Sequence, residues 1–233
     1  ELLIDHAWGY EPCTIAQIRA YKPQSSSLGC GQVLHCPYTA DKARIVVQEM
    51  IDGISLELVE KRLVTDQLVL TVGYDIENLT RPEIRKVYKG PVTTDRYGRR
   101  VPKHAHGTWN LPRATSSSSE LLEAMAALYD KIVNPALLIR RMSLSACHVV
   151  NEKMAKEREQ KETFEQLDLF TDYAKKEAKE KEEQKKRERE RRMQEALLTI
   201  KKKYGKNAVL RGMNFEEGAT AKERNGQIGG HQA

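Results

Sequence analysis

The sequence predicts an α+β fold: a split βαββαβ arrangement whose four strands form one sheet with two helices on one face, followed by a charged helical or disordered tail. Three observations predict it. Between Leu28 and Val149 the apolar residues recur with strand, helix, strand, strand, helix and strand periodicity in that order. Both helical stretches open on hydroxyl side chains, Thr39 and Ser117, of the kind that cap a helix. From Asn151 the composition changes to Lys, Glu, Arg and Gln with no continuous apolar stripe, the pattern of a solvated helix or a disordered tail.

Taken in order, residues 1–21 read as the end of a helix and a short helical turn, and Tyr21-Lys22-Pro23 with Gln24 to Ser27 breaks the pattern as a linker. Gly31 to Cys36 is a short apolar run closed by Pro37, which suits a strand. Thr39 then precedes a helix whose buried face is Ala43, Val46, Val47, Met50, Ile51, Ile54 and Leu58, weakened locally by Gly53. Leu68, Leu70, Val72 and Tyr74 alternate with Val69, Thr71 and Gly73 as a second strand. Ala105 to Leu111 alternates again around Trp109 and is expected to stop at Pro112. Ser117 to Glu120 fits a capping box ahead of Leu121, Leu122, Met125, Leu128, Tyr129 and Ile132. Asn134-Pro135 ends that helix, and Leu138 to Val149 is a fourth strand with Met142, Leu144 and Ala146 on one face.

Of the 233 residues, 39% are hydrophobic, enough for one ordinary core but not for the whole length. No apolar run approaches the ~20 residues that cross a bilayer, so no membrane partner is expected. The four cysteines, Cys13, Cys30, Cys36 and Cys147, show neither CxxC spacing nor disulfide density, so a reduced, cytoplasmic protein with structural thiols is expected. Zinc held by Cys30, His35, Cys36 and the Cys147-His148 pair is the weaker alternative, since metal knuckles space their ligands two to four residues apart. Leu2, Leu3 and Ile4 read as the tail of a helix already under way, so a piece whose N-terminal part lies before Glu1 is expected.

The net charge of +6 is unevenly placed, because residues 81–113 hold nine Lys and Arg against only Glu83 and Asp95. An excess of +7 in one stretch is the electrostatic footprint of a phosphate contact, with Arg96, Arg99, Arg100 and Lys103 as its candidate DNA-binding residues. The uncovered sheet face would present Thr71, Thr108, Asn110, Arg141, Ser143 and Ser145, of which Arg141, Ser143 and Ser145 join that set. Pattern alone also permits a plain solvated face.

Gln166-Leu167-Asp168-Leu169-Phe170 places three large apolar residues in a segment otherwise too charged to have a core. Either a partner's pocket receives them as a short linear motif, or the segment folds back on the body through Phe164 and Phe170. No catalytic constellation accompanies these features: nucleophile elbow, Walker loop and HExxH are absent, and the basic stretch lacks convergent carboxylates. Asp66, Asp75 and Glu77 read as loop and cap residues, and His104 and His106 as phosphate-contacting or solvated. Gly229-Gly230 reads as part of a flexible terminus.

Together these pieces resemble the C-terminal half of a bacterial Y-family translesion DNA polymerase of the UmuC/DinB-like group. Residues 1–24 (ELLIDHAWGYEPCTIAQIRAYKPQ) look like the end of a thumb and the linker leaving it, and Ser25 to Tyr38 (SSSLGCGQVLHCPY) like the first strand of a little finger. QLDLF at 166–170 is similar to the pentapeptide by which bacterial polymerases bind the sliding β-clamp. Residues 224–233 (RNGQIGGHQA) resemble the C-terminal signature of Gram-positive members.

The resemblance implies a thumb end and linker at 1–24, a DNA-binding little finger at 25–150, a charged tail with the clamp motif at 151–203 and a C-terminal segment at 204–233. It implies DNA repair by translesion synthesis in the SOS response, with primer-template DNA and the β-clamp as partners. The palm and its magnesium would lie before Glu1, so this chain is expected to hold no cofactor and to be inactive alone. A ferredoxin-like RNA-binding module with a charged interaction tail is the alternative. Such modules stack bases on strand aromatics, whereas Phe164, Phe170 and Phe215 all lie outside residues 25–150. A coiled-coil scaffold would need sustained apolar heptads that 152–203 lacks.

Overall fold

Alternation along each strand buries one side of a sheet, and two amphipathic helices cover that side. The computed structural model describes residues 4, 7–11, 13–21, 26–95, 97–162, 173–228 and 231–232. It begins with helix α1 (Ile15–Ala20), strand β1 (Leu28–Tyr38), helix α2 (Ala40–Lys61) and strand β2 (Leu63–Tyr74). Two short helices, α3 (Glu77–Thr80) and α4 (Pro82–Val87), and a hairpin of β3 (Val92–Thr94) and β4 (Arg100–Pro102) follow. The chain then forms β5 (Ala105–Thr115), α5 (Ser118–Ile132), β6 (Ile139–Cys147) and β7 (Val150–Asn151). Helices α6 (Glu152–Glu162) and α7 (Tyr173–Tyr204), a 3-10 turn (Gly212–Phe215), α8 (Ala221–Arg224) and a β8 (Gln227–Ile228) to β9 (His231–Gln232) pair complete it.

The sheet is antiparallel in the order β1-β6-β2-β5, with β7 added at the start of β2. Leu68, Leu70, Val72, Met142, Leu144 and Ala146 face the helices and are buried against Val46, Val47, Met50, Ile54, Leu58, Leu121, Met125 and Leu128. Each such large side chain contributes about 1.5–3 kcal/mol by leaving water, so this layer is the main source of stability. Helix α2 ends on Arg62 in the left-handed region (φ 53°), whose amide donates back to Leu58 and Val59 and turns the chain directly into β2.

The α+β class is the one expected, but β1, β2 and β5 outrun their predicted limits, while β6 stops at Ile139–Cys147, short of the expected Leu138 to Val149. Strand β1 covers Leu28–Tyr38, because Pro37 sits in an irregularity between the paired residues Val33 and Tyr38 instead of closing the strand. Pro112 likewise does not end β5. The register jumps from Gln67↔Asn110 to Thr65↔Thr115, so the proline lies in a bulge where no ladder donor is needed. The capping box is half formed: Ser117 accepts from the Glu120 amide, while the Glu120 carboxylate pairs with Arg113. Thr39 occupies the cap position of α2 without a side-chain cap bond.

The charged tail is helical where it is described, and the C-terminal part of α7 is not solvated throughout. Gln194, 2% exposed, donates to Ser118 Oγ (2.8 Å) and the Ser116 carbonyl (3.0 Å), and Ser118 in turn meets Ser55 Oγ of α2 at 2.7 Å. The Glu190 carboxylate accepts from the Ser119 amide (2.8 Å) and Ser117 Oγ (2.6 Å), placing an anion on the positive end of α5. Docking by hydrogen bonds leaves no trace in an apolar-stripe reading.

The C-terminal segment also returns to α2. Buried Glu49 accepts from Asn214 Nδ2 (2.7 Å), the Thr220 amide (2.8 Å) and the Ala221 amide (3.0 Å), while Arg211 pairs with Asp52 at 2.7 Å. Removing a buried carboxylate strands its donors, so Glu49→Ala is expected to cost about 2–3 kcal/mol. Amide exchange at Thr220 and Ala221 should accelerate by orders of magnitude in that variant. Unchanged exchange would show that the segment is held by other contacts.

Candidate nucleic-acid interface

The basic stretch folds as an insertion between β2 and β5. Pro82 opens α4 with its ring at a position needing no donor, and Arg85 and Lys86 occupy the exposed last turn. The Tyr88 hydroxyl donates to the Pro91 carbonyl (2.9 Å), which also accepts from the Lys103 amide (2.8 Å), so both ends of the hairpin meet at one point. The hairpin pairs Val92 with Pro102, Thr93 with Val101 and Thr94 with Arg100.

Its turn is organised by one carboxylate. Asp95 Oδ1 accepts from the Tyr97 and Arg99 amides (both 2.9 Å) and Oδ2 from Arg99 Nε (2.8 Å). The Arg99 side chain and these amides hold the Asp95 carboxyl below its ordinary range, and the carboxylate raises Arg99 in return. Gly98 adopts φ 78°, a conformation glycine reaches without strain.

The cations therefore divide into two groups. Arg81 pairs with Glu77, Arg99 with Asp95 and Arg113 with Glu120. Among the described residues no ion pair engages Arg85, Lys86, Lys89, Arg100 or Lys103, all exposed. Arg96 lies outside the described residues.

The uncovered sheet face is built in rows across β1, β6, β2 and β5. Gly29, Ser145, Val69 and Thr108 form one row, and Gly31, Ser143, Thr71 and His106 the next. Val33, Arg141 and Gly73 form a third. Thr71 Oγ1 and His106 Nδ1 lie 2.9 Å apart, and Gln67 donates to Asn110 at 2.9 Å. A Cβ on Gly73 would sit 2.6 Å from Arg141 Cγ, so this glycine lets the arginine stem lie flat across β2 with its guanidinium at the exposed face. Arg141, Ser143 and Ser145 are thus brought together on one strand. Arg99, Arg100 and Lys103 sit on the hairpin, where Arg99 feels the Asp75 carboxylate just past that same end of β2. Sequence reasoning passed over the glycines opposite the serines and the cations of α4, whose signal was the sheet register and a Pro-initiated helical turn.

Other candidates settle into structural roles. Asp75 Oδ1 accepts the Glu77 amide (2.8 Å), as a cap residue does. Asp66 meets His148 at 2.9 Å on the surface. Burial pushes the Cys30 thiol up to about 11, so it is protonated and inert at neutral pH. No group of three or more His, Cys, Asp or Glu able to hold a metal occurs among the described residues. A cleft of about 550 Å³ lies between the end of β5, α6 and α7, but its cations Arg113, Lys156, Arg187, Arg191 and Arg192 are already paired with Glu120, Glu152, Glu188 and Glu195. Gln166, Leu167, Asp168, Leu169 and Phe170 lie outside the described residues, as does Phe164. Among the described residues, no helix is long and apolar enough to cross a membrane.

No family model and no curated protein matches the chain. Among solved structures, a chain from a complex of β-clamp processivity factor and little finger domain of PolIV is similar over 63% of this chain and 100% of that one. Its identity is 9% and its TM-score 0.35, a likeness that decides neither fold nor function.

Proposed function

We propose that the chain is a DNA-binding module that grips duplex DNA through its phosphates. More particularly, it is the DNA-binding and clamp-tethering part of a bacterial Y-family translesion polymerase, a little finger with its tail, working in the cytoplasm during DNA repair. The observation that carries the DNA reading is the placement of Arg85, Lys86, Lys89, Arg100 and Lys103, exposed and, among the described residues, outside ion pairs, on an insertion at one end of a hydroxyl-lined sheet face. Small side chains there let a duplex approach closely, and cations beside it replace counterions on the phosphates. The RNA-module alternative loses ground because the described open-face residues include no Phe, Tyr or Trp. The clamp reading rests on the resemblance of QLDLF.

Fluorescence titration of the chain against several duplexes of unrelated sequence is the test. Affinities should agree within about twofold and fall steeply with salt, because phosphate contacts position without specifying. A marked preference for one duplex, or binding indifferent to salt, would refute the phosphate reading. Primer extension with magnesium and all four nucleotides should stay at background, since nucleotidyl transfer needs the palm carboxylates. Extension by pure material would overturn the assignment of this chain as the non-catalytic part.

A further inference from the structure

The hairpin turn presents an aromatic ring for which phosphate binding has no use. Tyr97 is 71% exposed at the tip, and the Arg99 guanidinium carbon lies 5.1 Å from its ring centroid. The turn beneath it is closed on itself: the Asp95 amide donates to the Arg99 carbonyl (2.9 Å), the Gly98 amide to the Asp95 carbonyl (3.0 Å), and the Asp95 carboxylate takes the amides of Tyr97 and Arg99. Ring and cation are therefore held as a pair by the fold. A flat aromatic face beside a guanidinium on a basic arm has one chemically matched ligand, the π-face of a nucleobase next to a phosphate. Bases inside a duplex are already stacked on both sides, so the ring is best matched to an unpaired one.

Resting on the DNA reading, we propose that Tyr97 and Arg99 form a stacking platform for an unpaired base of single-stranded DNA adjoining the duplex on the sheet. The sheet and the cations then hold the double-stranded part, and the hairpin tip marks where pairing ends. The platform is tolerant of sequence, because every base offers a π-face.

The test uses the full chain and three labelled probes: a blunt duplex, the same duplex with a short single-stranded overhang, and that overhang made of abasic sites. The overhang should bind about tenfold more tightly than the blunt duplex, and the abasic overhang should lose that gain. Tyr97→Ala and Tyr97→Leu should abolish the preference while leaving blunt-duplex affinity and its salt slope unchanged, and Tyr97→Phe should keep it. An equal overhang preference in Tyr97→Ala, or a preference that survives on the abasic probe, overturns the platform. So does a loss shared equally by blunt and overhang probes, which would make Tyr97 a structural residue. Failure of the unaltered chain to bind the blunt duplex would instead sink the DNA reading itself, and the platform with it.

Discussion

A variant carrying Leu169→Ala and Phe170→Ala together is expected to lose sliding-clamp binding while its DNA affinity stays within about twofold of the parent. The size of the loss follows from the chemistry of a short motif. Such a segment binds with micromolar affinity, about −8 kcal/mol, and almost all of that must come from its apolar anchors. Burying each large side chain is worth about 1.5–3 kcal/mol, so removing two takes away roughly 3–6 kcal/mol and weakens the affinity from micromolar to about 0.2 mM at least and tens of millimolar at most. In the proposed docking, Leu169 and Phe170 fill the pocket, Leu167 packs at its edge and the Gln166 amide bonds at the rim. Asp168 faces solvent, so Asp168→Ala should bind like the parent. Calorimetry against the purified clamp reads all of these. Retained clamp binding in the double variant removes the tether, and a fall in thermal stability would show that Phe170 belongs to the core.

The mode of docking of α7 gives that tether a geometry. Arg187, Glu190, Arg191 and Gln194 fix its C-terminal half to α5 and β7-adjacent Glu152. The helix then runs back from Arg187 to Tyr173, about 20 Å at 1.5 Å per residue, before the motif is reached. The ion pair of Glu183 with Arg187, four residues apart, stiffens this spacer by a few tenths of a kcal/mol. In the proposed reading, a clamp bound beside this arm would raise the local concentration of the proposed DNA-binding face, which is how weak sites combine into retained binding.

What the sequence made legible was whatever rests on apolar periodicity. The buried faces of α2, β2, α5 and β6 are the residues whose spacing announced them, from Ala43 to Leu58 and from Met142 to Ala146. The open face was legible for the same reason, since Arg141, Ser143 and Ser145 must point away from a face that Met142 and Leu144 require to be buried. Polar determinants escaped. Glu190 and Gln194 read as helix surface because their partners, the serine run at 116–119, lie more than seventy residues away, and a hydrogen bond has no period. Glu49 escaped likewise, being one charge on a helix until Thr220 and Ala221 fold onto it. Pro112 misled because a proline is a strand breaker only where the ladder needs its amide, and a bulge does not.

Replacing Arg96, Arg99, Arg100 and Lys103 together by alanine is expected to weaken duplex binding about ten- to hundredfold at physiological salt, equally for unrelated sequences. For every phosphate no longer neutralised, the plot of log affinity against log salt should also become shallower by roughly 0.9. The three described positions, Arg99, Arg100 and Lys103, are not equivalent, and the structure ranks them. Arg100 and Lys103 are exposed and have no ion pair among the described residues, so their charge is available to a phosphate. Arg99 is bound to Asp95, whose carboxyl is held below its ordinary range and stays ionised at neutral pH. A phosphate must compete with that carboxylate for the guanidinium, so Arg99 neutralises less than one full phosphate charge. Its removal, however, uncovers the Asp95 charge, while the amide bonds from Tyr97 and Arg99 to that carboxylate remain. Arg100→Ala with Lys103→Ala should therefore lower the slope by nearly 2, whereas Arg99→Ala alone should change it by less than the value for one phosphate and act through the charge it uncovers. Arg99→Ala with Asp95→Asn separates the two effects, because it removes both charges and should restore part of the affinity. A salt slope that is the same in the quadruple variant and the parent would mean that the hairpin does not touch the backbone, and the grip would have to be sought in Arg85, Lys86 and Lys89 or in Arg141 and the sheet face.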